Sequence, residues 1–170
     1  MPRPQAGDHA PYFDRYIQLI TDDDCVKALD ASLAPLSTFL DAIPESKATY
    51  AYADGKWTIK QLLQHVIDAE RIFSYRALCL SRGEQQPLPG FDENGYGDHA
   101  TATHRSLSSL KTELKNLRKS TIDLFNSFNQ DQLNELGVAN NHPTKANSLG
   151  FMILGHWKHH EGIMKEKYLK

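Results

Sequence analysis

Only two cysteines, Cys25 and Cys79, occur in the 170 residues, far apart and in no CxxC spacing. Neither a disulfide framework nor a thiolate zinc knot is therefore expected, and a reducing cytoplasm fits best. Charge of one sign is lacking too. Nineteen Lys and Arg stand against 21 Asp and Glu, a formal net charge of -2, which gives no electrostatic reason to expect nucleic acid as a partner. Nowhere do about 18 consecutive apolar residues occur, and the opening MPRPQAGDHAPYF has no apolar stretch of signal-peptide length. The expectation is a soluble, unexported chain that does not span a membrane. With 40% hydrophobic and 24% charged residues it has room for one sizeable core and not for two, so one domain is expected.

What the sequence does contain is helical periodicity. Residues 1–21 hold three prolines and a glycine without a sustained period, which predicts an arm lying over the body, anchored by Tyr12, Phe13, Tyr16 and Ile17. After the acidic run Asp22, Asp23 and Asp24, suited to a helix N-terminus, apolar residues recur at Val26, Leu29, Leu33, Leu36, Leu40 and Ile43. Pro35 inside that stripe would kink or divide the helix. A turn-rich connection follows, and a second helix capped near Thr58 carries Ile59, Leu62, Val66, Ala69, Ile72, Phe73 and Leu80 on one face. Residues 83–98 are rich in glycine and proline and predict a long loop; solvation is the first expectation for its Asp92, Glu93 and Tyr96, and a place beside the metal is the alternative. A third helix is marked by Leu107, Leu110, Leu114, Leu117, Leu124 and Phe128; its Lys111, Lys115, Arg118 and Lys119 alternate with Glu113 and Asp123 and predict a solvated face. A fourth helix begins near Asn147. Four long helices without a convincing strand run predict an all-α four-helix bundle.

The last helix holds His156, His159 and His160 in GHWKHHEGIMKEKYLK. On a wheel with His156 at the origin, His160 falls at about 40°, among Leu149, Met152, Ile153, Ile163 and Met164, whereas Lys158 and Lys165 lie on the far side. His156 and His160 therefore point inward, four residues apart and close enough to share one ion; His159 lies on the shoulder. His65 stands on the apolar face of the second helix, where a facing helix could complete a three-nitrogen site. Two readings remain open on these residues alone. The histidines are either satisfied core residues or ligands of a divalent metal with an open position, the arrangement of catalytic zinc. Spelling excludes two metal classes: Trp157 replaces the glutamate that HExxH requires, and no glutamate is followed by histidine at the third position, as a di-iron bundle needs. Arg76 shares the inward stripe with His65. A buried ion pair with a bundle carboxylate is expected for it, and an anion clamp for a substrate carboxylate is the alternative.

The stretches GKWTIKQLLQHVIDAERIFSYRAL, LPGFDENGY and GHWKHHEGIMKEKYL together resemble the DinB-like superfamily of small metal-binding four-helix bundles, over about residues 22–169. The resemblance implies a DinB-like bundle over residues 22–170 preceded by the arm, 1–21. It also implies a divalent metal, nickel or zinc, held by His65, His156 and His160. Characterised members include thiol-dependent transferases and isomerases, so a low-molecular-weight thiol and a small electrophile are the implied partners, with transfer or hydrolysis as the reaction. A homodimer is the assembly implied, since members often pair. His159 matches no ligand position and is expected at the surface or beside a ligand, while His99, His104 and His142 are expected in loops. The competing expectation is a bundle that a metal only stiffens, acting through its surface as a stress-associated binding protein.

Overall fold

The computed structural model describes residues 3–100 and 102–170. In chain order the helices are α1 (Asp14–Ile17), α2 (Cys25–Ala42), α3 (Ile59–Ser81), α4 (Glu93–His99), α5 (Leu107–Asn126), α6 (Gln130–Asn134) and α7 (Ala146–Ile163), which runs on into a π-helical turn, Met164–Tyr168. The strands β1 (Leu136–Ala139) and β2 (His142–Lys145) form one antiparallel hairpin. The four long helices α2, α3, α5 and α7 make the bundle. Among the described residues, no helix is long and apolar enough to cross a membrane.

Local chemistry sets the helix starts. Asp24 accepts from the Lys27 backbone N–H at the head of α2, and Ser106 does the same for Ser109 at the head of α5. Thr58 and Gln61 form a reciprocal capping box on α3: the Gln61 N–H donates to Thr58 Oγ1 at 3.3 Å, and the Thr58 N–H donates to Gln61 Oε1 at 2.9 Å. Pro35 neither divides nor ends α2, which continues from Cys25 to Ala42. Proline removes a single donor there, and the packed stripe of Leu29, Leu36 and Leu40, all fully buried, holds the helix together around it.

The apolar core falls into two clusters along the bundle axis. One gathers Leu29, Phe73, Phe125 and Leu149, and the other Leu36, Leu63, Leu114 and Trp157. A polar layer of Ser32, Glu70, Arg118 and Thr121, joined by side-chain hydrogen bonds, accompanies them. Arg118 is 0% exposed and Glu70 2%. The guanidinium donates to both carboxylate oxygens at 2.8 Å each and to Ser32 Oγ at 2.9 Å, while Thr121 Oγ1 donates to Glu70 Oε1 at 2.9 Å. The expected solvated position of Arg118 is thus corrected: Glu70 on the facing helix draws it into the core, because a bidentate carboxylate offsets the desolvation of the guanidinium.

Two further departures from the sequence expectation bear on the site. The segment after Phe128 contains the β1–β2 hairpin, whose turn residues Asn140 and Asn141 have φ of 51° and 63°, a conformation asparagine tolerates better than most residues. The loop at residues 83–98 carries α4. Leu88 in that loop pairs with the hairpin, accepting from the Asn140 N–H and donating to the Val138 carbonyl, at 2.9 Å each. The N-terminal arm is fixed to the start of α7, where the Lys145 backbone N–H and the Ser148 hydroxyl both donate to the Asp8 carbonyl at 2.9 Å. Farther along α7, Gly155 lets α1 approach closely; a Cβ there would collide with the Tyr16 carbonyl.

Candidate metal centre

The α3 and α7 stripes bring His65, His156 and His160 together, all three buried. Each offers a ring nitrogen within 4.8 Å of the other two. His156 Nε2 lies 3.0 Å from His65 Nε2 and 3.0 Å from His160 Nε2. Hydrogen bonding alone cannot satisfy this convergence. A ring nitrogen has one in-plane position, occupied by either a proton or a lone pair, so two partners compete for the same site on His156. Three lone pairs directed at one cation remove the competition. With metal–nitrogen distances of about 2.0–2.1 Å, tetrahedral geometry sets neighbouring nitrogens roughly 3.3 Å apart, close to what is found. His160 Nδ1 is buried without a hydrogen-bond partner among the described residues, so the ring is held by packing and by what its Nε2 faces. The donor set fits a divalent ion of zinc or nickel type.

Electrostatics points the same way. Burial pushes His65 down to about 4 and His160 down to about 3, with neighbouring imidazoles adding to the effect. His156 is driven well below its ordinary value, again chiefly by burial. All three rings are neutral near pH 7, the state a metal ligand must have. Aromatic rings fix their orientation: Trp57 lies 4.8 Å from His65 between centroids, and Tyr16 and Phe73 meet His156 edge-on at 5.6 and 6.1 Å. His159 stays outside the trio, half-buried, with its ring 5.1 Å from Tyr16 and 5.0 Å from His160.

The cluster opens on a cavity of about 370 Å³ that touches His65 and His156. The arm supplies Tyr12, Phe13 and Tyr16 to its wall, and α3 adds Phe73 and Arg76. The loop, α4 and the hairpin close it with Phe91, Asp92, Glu93, Asn140 and His142. His160 faces a separate cavity of about 270 Å³ beside Trp57, Tyr52 and Tyr168. A larger, more open groove of about 750 Å³ runs past Arg71, Arg105 and Glu113 but contains none of the three histidines, so the smaller cavity is the one that meets the cluster. Asp92 and Glu93 are exposed, as first expected, and also edge the cavity, whereas Tyr96 lines the open groove.

Other expectations sort plainly. His99, His104 and His142 are exposed, although His142 also edges the cavity. Arg76 is buried but forms no ion pair among the described residues; its Nη2 donates to the Pro89 carbonyl at 2.6 Å. The expected ion pair with a bundle carboxylate is therefore not found, and the buried carboxylate of the same helix, Glu70, is held by Arg118. Sequence reasoning missed the arm as a wall of the site and missed His9, buried with its Nε2 2.7 Å from Asp14 Oδ1. The signal for the arm was present in the Tyr12, Phe13 and Tyr16 spacing, but nothing local said which surface those rings would meet.

A sequence model of the DinB superfamily matches residues 28–164. YfiT from Bacillus subtilis, described as a probable metal-dependent hydrolase with an unusual four-helix bundle topology, superposes with a TM-score of 0.70 at 19% identity, covering 96% of this chain and 89% of that one. A mycothiol-dependent maleylpyruvate isomerase superposes with a TM-score of 0.65 at 12% identity, covering 85% of this chain and 61% of that one. At these identities the likeness is one of fold. Comparison with curated proteins gives no significant match.

Proposed function

The chain belongs to the DinB superfamily, and from that premise we propose that it is a metal-dependent enzyme acting on a small electrophile by transfer or hydrolysis. In this proposal His65, His156 and His160 hold one divalent cation, zinc or nickel, which when bound makes a coordinated thiol or water easier to deprotonate. One observation carries the proposal: three neutral imidazole nitrogens meet, 3.0 Å apart in two pairs, at the wall of a cavity large enough for a small molecule.

The chain's own residues prepare that wall. Trp57 and Phe73 hold His65 and His156 in place, so that little reorganisation accompanies binding. The arm, residues 1–21, is part of the site in this proposal, covering the bundle of residues 22–170 and shielding the cavity from water with Tyr12, Phe13 and Tyr16. The names of the two structural neighbours lend support from both sides, one to activation of water and the other to a low-molecular-weight thiol as partner. A cation that merely stiffens the bundle would need no cavity, and the opening onto His65 and His156 favours the enzyme.

Elemental analysis of protein purified without an affinity tag tests the site. A single divalent ion per chain is expected, lost in His65→Ala and in His156→Ala while the helical circular-dichroism signal remains. A screen of thiols with electrophiles on the loaded protein then reads turnover. Metal retained at full stoichiometry in both variants, or no stoichiometric metal after loading, would sink the proposal. Unfolding of the wild type on metal removal would assign the ion to stability instead.

A further inference from the structure

A buried cation shares the cavity with the histidines, and none of the described residues forms an ion pair with it. His65, Ala69, Phe73 and Arg76 follow one another along the cavity face of α3 at spacings of four, four and three residues, and Arg76 is 6% exposed. One neutral acceptor, the Pro89 carbonyl, takes a hydrogen bond from its Nη2, and the Phe91 ring centroid lies 5.9 Å from its Cζ. No carboxylate pairs with it among the described residues. Asp92 and Glu93 border the same cavity, yet Asp92 spends Oδ1 on the Asn94 backbone N–H and neither forms an ion pair with the guanidinium. Burial depresses the Arg76 pKa with no opposing charge to offset it. Arg118 is the internal contrast: the chain gives that buried guanidinium a bidentate carboxylate. A guanidinium left with unused donors beside open space is arranged to receive a carboxylate from outside.

The position of Arg76 is fixed. Leu88 is pinned to the hairpin, which sets the adjacent Pro89 carbonyl, and that carbonyl holds one edge of the guanidinium. Arg76 stands eleven residue steps along α3 from His65, roughly 16 Å of helix axis. Helical side chains incline toward the helix N-terminus, and an arginine reaches several ångströms farther than an imidazole, which leaves a gap on the order of 10 Å between the two heads. The walls along that gap are mainly aromatic, from Phe13, Tyr16, Phe73 and Phe91.

We propose that Arg76 binds the carboxylate of an elongated, largely apolar molecule lying along α3, with its opposite end toward His65 and His156. This specifies the substrate class of the site and rests on the proposed function only for what happens at the histidine end. The carboxylate belongs either to the electrophile or to a thiol.

Calorimetric titration separates these. Wild-type protein is titrated with 4-phenylbutyrate and with its uncharged amide, and the loaded protein with 6-mercaptohexanoate and 6-mercaptohexanol. At least about a tenfold preference for the acid is expected in one pair or both, as for a hydrogen-bonded charge pair. A preference confined to the aryl pair assigns the carboxylate to the electrophile; one confined to the mercapto pair assigns it to the thiol. In Arg76→Met the preference should vanish while the uncharged ligand binds as before. Equal affinity for acid and uncharged analogue in the wild type, no binding by either acid, or a preference that survives in Arg76→Met overturns the proposal. The wild-type comparison stands even if the variant does not fold. Repeating the aryl pair on His156→Ala distinguishes the two proposals, because loss of metal there leaves the Arg76 preference intact.

Discussion

Replacing Arg118 by Met tests the polar layer at the centre of the bundle. The substitution keeps an unbranched side chain of similar length but leaves the Glu70 carboxylate, 2% exposed, with the Thr121 hydroxyl at 2.9 Å as its remaining donor. Stranding a buried charge in this way costs about 3–5 kcal/mol. For a chain of this size each kcal/mol lowers the melting temperature by about 2–4 °C, so a drop of about 6–20 °C is expected. Glu70→Leu strands the guanidinium instead, with only Ser32 to receive a bond at 2.9 Å, and should cost about as much. The double variant removes both charges and should lie near the wild type, because two apolar groups of similar volume escape the desolvation that the pair must offset. Urea unfolding of all four proteins closes a double-mutant cycle with a coupling of several kcal/mol. Single variants within about 1 kcal/mol of the wild type, or a double variant that costs the sum of the two, would refute the assignment of this pair as mutually dependent buried charges.

Three further outcomes follow from the same structure. Gly155→Ala places a methyl against the Tyr16 carbonyl and should cost about 1–3 kcal/mol; limited proteolysis ought to cut the arm between residues 9 and 20 faster than in the wild type, and unchanged rates would show that α1 does not rest on Gly155. Thr58→Ala removes one half of the α3 capping box and should lower stability by about 1 kcal/mol, read by urea unfolding, with no change in metal content. Metal-stripped protein should lose stability on acidification. The folded-state values of His65 and His160 lie below the ordinary 6.5, so the unfolded chain binds more protons; stability is full above about pH 6.5 and is lost as the pH falls toward about 4 and 3. A flat melting temperature between pH 7 and pH 4 would contradict the neutral, buried state of these rings.

Much of the architecture was legible because helix periodicity is a local property. The stripes of Leu29, Leu36 and Leu40, of Ile59, Leu62 and Val66, and of Leu107, Leu110 and Leu114 are all buried, and Thr58 caps α3 as its spacing suggested. The inward turn of His156 and His160 followed from their 40° separation within an apolar arc, and His65 from its place in the second stripe. The β1–β2 hairpin was not legible. Its strands have four residues each and no clean alternation of apolar and polar side chains, and its turn uses Asn-Asn rather than a stronger turn pair.

By itself the sequence determined which residues share a helix face, where the helices begin, and that three imidazoles turn toward the interior. Only the tertiary structure decided that Arg118 meets Glu70 while Arg76 meets none of the bundle's carboxylates, and that the arm's rings close over His156 where Gly155 leaves room. The physical reason is one of reach. The backbone hydrogen bonds and side-chain order that set a face act within a few residues, whereas the partner of a buried charge depends on how far one helix is rotated and shifted against the next. That offset is fixed by the packing of the whole core.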